Sequence, residues 1–432
     1  MSAPLYSALV RHREKGRASF HTPGHKNSPR ALPPDLYALD FTELPDTDSL
    51  FEASGPILEA EKRAAALFGA ARTCFSAGGC TLCIQAMLRL AAPQGGRVLC
   101  SRVVHRSAVN AMALLGIEPV WAMPGDIAAE VDRHPEIRAV YVTSPDYYGR
   151  LLDIPAVAAR CRAHGIPLLV DNAHGTHLMF TRPKLHPLFL GASMTADSAH
   201  KTLGVLTGGA WLQIGDGAYA AGAKSAMALF GSTSPAYPVM ASLDLAREWL
   251  ETHPDAFVSL QGAAEDIRRA AVSKGIALPE GSCDPTRIAL DVSSIGLTGT
   301  QAAERFRAAG VEPEYADSSF VVLIPSPFNG EEDFMRLKKA VLSLPAGAPF
   351  SHEADRVRAP FPPITPAAVP LREALLTETK TVSLQNACGE IAAEAACPCP
   401  PGVPAVMPGE RIAKEAVDFL RGYGFFQIKV LK

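Results

Sequence analysis

A lysine follows a histidine in the run Ala196-Asp197-Ser198-Ala199-His200-Lys201-Thr202-Leu203-Gly204, between an apolar stretch and a glycine-rich turn. Thirty residues upstream, Asp171 closes the apolar run Leu168-Leu169-Val170-Asp171. An amine attacks an aldehyde only when neutral, so a site that disfavours charge helps a reactive lysine. A carboxylate beside a protonated pyridine nitrogen keeps that ring cationic and makes it an electron sink. An aspartate ending one strand and a lysine on a later turn therefore suit pyridoxal phosphate. Taken singly, Lys201 also reads as a surface lysine on a turn, and Asp171 as a cap of the turn that follows it.

Other groups along the chain fit the same ligand. Ser76-Ala77-Gly78-Gly79-Cys80-Thr81 precedes a helix expected over 81–92. Glycines let the backbone approach an anion, and free amides with the helix dipole favour phosphate there. Gly79, Cys80 and Thr81 are the candidate phosphate contacts. Ser198, His200 and Thr202 surround Lys201 with groups suited to a phosphate and an aromatic ring. Ala173-His174-Gly175-Thr176-His177 leaves room for a flat ligand and supplies imidazoles. His105 follows an expected strand and could stack on a pyridine ring; helix capping or burial is its ordinary alternative. Thr143-Ser144-Pro145-Asp146-Tyr147-Tyr148-Gly149 combines pocket-lining and turn chemistry.

Positioning these groups requires a particular layer order. Residues 97–101, 119–123, 139–143, 167–171, 193–197 and 210–214 read as short buried strands. Helices are expected over 56–68, 81–92, 105–115 and 155–164. Apolar strands spaced by amphipathic helices imply a mostly parallel sheet covered on both faces. Ligands gather beyond the carboxyl ends of such strands, and Ser144, Asp171 and Ser198 fall there. A helix over 237–251 leads into a second, smaller α/β region. It has strands at 287–292 and 320–324, and helices at 300–309 and 331–342. Residues 343–370 read as a proline-rich and alanine-rich connection, and 397–404 as irregular. The expected division is an N-terminal arm (1–50), a large ligand-binding domain (51–255) and a small C-terminal domain (256–432).

At 432 residues the chain can build two cores. It is 48% hydrophobic and 20% charged, with a formal net charge of −3. That charge gives no case for nucleic acid, and no basic run points to a membrane surface. No apolar run is long enough to span a bilayer, and charged residues 11–15 interrupt any signal-peptide core. A cytoplasmic location is expected. Nine cysteines, an odd count without framework spacing, argue for reduced thiols. The pairs Cys80/Cys83 and Cys397/Cys399 read as thiols rather than a zinc site, so no metal is expected.

Together these blocks resemble the Orn/Lys/Arg decarboxylase family of fold-type I pyridoxal phosphate enzymes, in its short form. His21-Thr22-Pro23-Gly24-His25-Lys26 looks like the N-terminal signature of that family, and Asp40-Phe41-Thr42-Glu43-Leu44 with Asp48-Ser49-Leu50 like its next block. The phosphate turn, Thr143-Ser144-Pro145, Asp171-Asn172-Ala173-His174-Gly175 and Ser198-Ala199-His200-Lys201-Thr202-Leu203 follow in the family's order. Thr233-Ser234-Pro235-Ala236-Tyr237-Pro238 and Met240-Ala241-Ser242-Leu243-Asp244 extend the match, and Pro400-Pro401-Gly402-Val403-Pro404 with Pro408-Gly409-Glu410 resemble its C-terminal domain.

The resemblance implies an aspartate aminotransferase-like fold, with a mostly parallel seven-stranded sheet in the large domain and a smaller C-terminal α/β domain. It implies α-decarboxylation of arginine, lysine or ornithine to the corresponding amine of polyamine metabolism and carbon dioxide. Lys201 would hold the cofactor's aldehyde, Asp171 its ring nitrogen, and His105 would stack on the ring. Cys80, Thr81, Ser198 and His200 would surround the phosphate, with His174 and Gly79 also in the cofactor site. Thr233 or Ser234 would reach the phosphate from a second subunit of a homodimer or higher homo-oligomer. Cys80 stands where serine is usual, Asn172 where glutamate is, Glu390 where a basic residue is, and Cys399 where tyrosine is. Glu43, Asp46, Asp48 and Glu410 are candidate acidic partners for a basic substrate side chain. Aminotransfer, β-elimination and a non-catalytic regulatory role are the alternatives.

Overall fold

The computed structural model of the chain describes residues 14–21, 24–26, 30, 36–345, 360–398 and 402–432. Strand β1 (Ala18–Phe20) precedes the large domain. Seven strands then build one sheet: β2 (Arg72–Ser76), β3 (Gly96–Ser101), β4 (Ile117–Ala122), β5 (Ile137–Thr143), β6 (Leu168–Asp171), β7 (Met194–Asp197) and β8 (Ala210–Ile214). Their order is β2-β8-β7-β6-β5-β3-β4. Only β8 runs antiparallel to its neighbours; the other pairings are parallel.

Alternation along the central strands sends side chains to both faces. Val140, Val142, Leu168 and Val170 join one apolar cluster, and Ala139, Tyr141 and Leu169 another. Fully burying each Val or Leu contributes about 1.5–3 kcal/mol. Both faces are therefore core, which is why these strands read as unbroken apolar runs. Strand β2 escaped the sequence reading because Thr73 interrupts its apolar pattern. That hydroxyl is buried against Gln213 of β8, 2.5 Å away. Strands β4 and β5 begin two residues earlier than expected. Several helices also went unread, among them Ile127–Arg133, Ala256–Ser273 and Lys414–Gly422.

The helix Pro56–Phe68 matches its expected bounds. Proline sits in its first turn, and Gly69 closes it at φ 67°, the left-handed conformation that glycine adopts without cost. Asp48 organises the approach to it. One oxygen accepts from the amides of Ser49 and Ser54, the other from Gly55 and Ile57. These donors outweigh the cost of burial and hold its carboxyl below the ordinary range. Asp48 is thus a structural anchor, not an acid turned to a substrate.

In the second half, β9 (Ile288–Asp291), β10 (Val311–Pro313), β11 (Tyr315–Ala316) and β12 (Phe320–Leu323) accompany helices Gly299–Ala308 and Glu331–Leu342. Strands β9, β11 and β12 form an antiparallel sheet in the order β11-β12-β9. Strand β1 pairs with β10, so Ala18 and Phe20 share a core with Phe306 and Leu337. Further on, β13 (Thr379–Ser383) and β14 (Gln427–Leu431) pair beside helix Lys414–Gly422, around a separate apolar cluster. The region 256–432 therefore carries two cores. Thr22, Pro23, Cys399 and half of the 343–370 connection lie outside the described residues. No described helix is long and apolar enough to cross a membrane.

Candidate active site

Parallel strands deliver their carboxyl ends to one edge of the sheet, and a cavity of about 390 Å³ opens there. Thr143 ends β5 and Asp171 ends β6; both line it. Beyond β7, Ser198 precedes the short helix Ala199–Thr202, which carries His200 and Lys201 into the wall. Gly79, Cys80 and Thr81 enter from the start of helix Gly79–Ala91, which has no side-chain cap. His105 arrives from the turn after β3, and Ala173 and His174 from the turn after β6. Apart from Thr202, Thr233, Ser234 and the candidate substrate acids, the site residues expected from the sequence all line this cavity.

Thr233 and Ser234 are exposed on the loop before helix Tyr237–Thr252. Ser234 lines a neighbouring cavity that shares Thr81 with the first. Within one chain, neither residue lines the Lys201 cavity.

Lys201 Nζ lies 2.9 Å from His174 Nε2. Burial pulls the amine's pKa down, opposed by Cys80 and Asp171. Burial pushes the Asp171 carboxyl up, opposed by Lys201 and His105. Asp171 accepts from the Ala173 amide at 3.1 Å and the Tyr141 hydroxyl at 3.3 Å. Both groups are held in a poorly solvated place, which is how sites tune acids and bases.

His105 both caps a helix and lines the cavity. Its Nδ1 accepts from the Ser107 amide at 3.2 Å as the cap of helix Arg106–Leu115, while the ring lines the cavity. The cap orients the ring. His200 Nδ1 donates to the Gly209 carbonyl at 3.0 Å, leaving Nε2 as the nitrogen able to exchange a proton. Burial also lowers its pKa. Burial raises the Cys80 thiol well above its usual range, so it stands as a neutral donor near Ser198. Asn172 reaches away from the cavity to Asp197, 2.6 Å, and His186, 2.9 Å, bracing the ends of β6 and β7.

None of the four acids weighed from sequence lines this cavity. Glu43 and Asp46 are exposed, Asp48 anchors a helix, and Glu410 is buried in an ion pair with Arg102. Glu390 is partly exposed and pairs with Lys380 at 3.3 Å. Besides Asp171, the carboxylate in the lining is Asp146; Glu314 stands just outside it and accepts from the hydroxyl of the cavity residue Tyr147 at 2.9 Å. Arg287 stands behind His174. Sequence reading missed Glu314 and Arg287 because they lie in the small domain, in no local pattern that marks them.

Residues 3–271 match the family profile described as Orn/Lys/Arg decarboxylase, major domain, and 354–428 match the profile of that family's C-terminal domain. The Bacillus subtilis protein YaaO is 31% identical over 97% of this chain and 94% of its own length. The arginine decarboxylase of Bacillus anthracis is 29% identical over 97% of this chain and 92% of its own. Among solved structures, lysine decarboxylase A from Pseudomonas aeruginosa has a similar fold, with a TM-score of 0.75 at 20% identity. That match covers 97% of this chain and 75% of the other.

Proposed function

The chain belongs to the Orn/Lys/Arg decarboxylase family of fold-type I pyridoxal phosphate enzymes, and from that premise we propose that it decarboxylates arginine, lysine or ornithine in the Lys201 cavity. The observation that carries this reading is the meeting of Lys201, Asp171, His105 and the Gly79–Thr81 turn around one cavity. Two features support the fit of pyridoxal phosphate. The cavity residue Thr143 has its hydroxyl buried without a hydrogen-bond partner in the described chain. The uncapped start of helix Gly79–Ala91 offers amides and a positive dipole end suited to phosphate.

When bound, the cofactor supplies the electron sink that takes the bond pair left behind by carbon dioxide. Lys201 Nζ is the amine for its aldehyde. Asp171 keeps the ring nitrogen protonated, and His105 flanks the ring. Cys80, Thr81, Ser198 and His200 hold the phosphate, with Thr233 or Ser234 of a second copy completing it in a homodimer. Lys201 Nζ or the His200 ring returns the proton to the substrate's Cα. Glu314, braced by Tyr147, is the acid for the substrate's distal cation. Which bond breaks is decided by orientation in the cavity.

Asp171→Asn removes the charge facing the ring nitrogen. A close opposite charge is worth about 1–3 pKa units, so kcat should fall about 100-fold with the cofactor still bound. The functional reading itself is tested with a panel of amino acids. Carbon dioxide and the matching amine are expected from a basic one; keto acid or ammonia without carbon dioxide would overturn it.

A further inference from the structure

With Lys201 taken as the reactive amine, as proposed, we infer that Arg287 keeps it neutral from outside the cavity, by fixing which ring nitrogen of His174 carries the hydrogen. Arg287 stands just before β9, and its side chain is 2% exposed. Its stem lies where Gly149 has no side chain. A Cβ on Gly149 would stand 2.7 Å from Arg287 Cγ, and φ there is +92°. From that slot Nη2 donates to the His174 carbonyl at 3.3 Å and faces His174 Nδ1 at 3.5 Å. Nη1 donates to the Tyr147 carbonyl at 3.4 Å. The Asp284 carboxylate lies 4.0 Å from Nε. The Tyr147 ring meets the imidazole edge-on, with centroids 5.1 Å apart.

A guanidinium has donors and no acceptor. His174 Nδ1, facing it, must therefore be the unprotonated nitrogen. Burial first, then the Lys201 and Arg287 cations, push the His174 pKa well below its usual value, so the ring is neutral with one hydrogen. That hydrogen sits on Nε2, 2.9 Å from Lys201 Nζ. An ammonium has no lone pair to accept it; a neutral amine does. The opposite tautomer would accept from an ammonium, but it would turn Nδ1–H against the guanidinium donors. Cys80, Asp171 and Glu314 favour the charged amine, while burial and Arg287 oppose it. The imidazole hydrogen adds to the second group and supplies a direction. Arg287 is thus a positioning residue acting through His174.

The test reads the full-length chain freed of cofactor and labelled with nitrogen-15 in histidine. Two-bond proton–nitrogen correlations identify the tautomer of each ring, and His174→Gln assigns the His174 set. The wild-type chain should show His174 protonated on Nε2 near pH 7. Arg287→Met should populate the Nδ1–H form. It should also raise, by about one pH unit or more, the midpoint at which acetic anhydride labels Lys201, read by mass spectrometry. Arg287→Lys, again a donor-only cation, should return both toward wild type. An Nδ1–H ring in the wild-type chain overturns the inference even where a variant fails to fold. So does a labelling midpoint that moves in Arg287→Met while the tautomer stays, because charge alone would then act. Turnover surviving in Lys201→Ala would instead sink the assignment of Lys201 and leave the His174 tautomer as it is.

Discussion

Lys201→Ala, assayed with excess pyridoxal phosphate, is expected to release carbon dioxide from its amino-acid substrate at less than about one-thousandth of the wild-type rate. A positioned proton-transfer group alone contributes about 100- to 10,000-fold, and Lys201 would lose its covalent role as well. Among the described residues, no neighbour offers a free primary amine in its place. His174 and His200 are held neutral by burial and carry no primary amine. Lys26 is occupied elsewhere, donating to the carbonyls of His21 and Ile324. The check is twofold: carbon dioxide release, and borohydride treatment followed by peptide mapping. Wild-type chain should carry the reduced cofactor on the peptide containing Lys201, and the variant should not. Turnover within tenfold of wild type would show that another group does this work.

Arg102→Ala is expected to destabilise the attachment of the C-terminal unit by about 3–5 kcal/mol, the cost of leaving one partner of a buried ion pair alone. Arg102 and Glu410 are 1% and 2% exposed and meet in two contacts, 2.5 and 2.8 Å. The guanidinium also donates to the carbonyls of Pro404 and Ala405. Without it, the Glu410 carboxylate would keep the Met407 amide, 2.8 Å away, but no countercharge in this pair. The consequence reaches the site, because Gly402 of the same segment lines the cavity. Urea unfolding followed by hydrogen exchange over 384–430 would measure the loss. The double variant Arg102→Met, Glu410→Leu should recover much of it, since an apolar pair of similar bulk removes the uncompensated charge. A loss below about 1 kcal/mol in Arg102→Ala would mean that the pair does not hold the two parts together.

Glu410 also shows where sequence reasoning stops. Beside Pro408-Gly409 it carried no mark to separate a substrate partner from a structural acid. Its partner lies 308 residues away, and only the folded chain brings them together. Asp48 is the local version of the same problem, an acid whose oxygens are taken by amides up to ten residues on. Arg287 and Glu314 had no signal at all, since a buried ion or hydrogen-bond partner leaves no periodicity. The reduced thiols were legible from count and spacing, and the eight described cysteines are all free. Strand β2 was hidden by Thr73, whose polarity is satisfied across the sheet by Gln213.

By itself the sequence determined the mostly parallel sheet and the edge at which its ligand groups gather. It also placed Lys201, Asp171, His105 and the Gly79–Thr81 turn in an order suited to one cofactor. Those features are local. Strand ends, turns and helix starts are written in consecutive residues, and a parallel sheet carries its strand ends to a common edge. Tertiary structure alone decided which acids are free to meet a substrate and which are locked in the frame. It alone set an arginine from the small domain behind His174. Charge neutralisation and hydrogen-bond direction depend on distances between parts of the chain more than a hundred residues apart, and no short pattern encodes them.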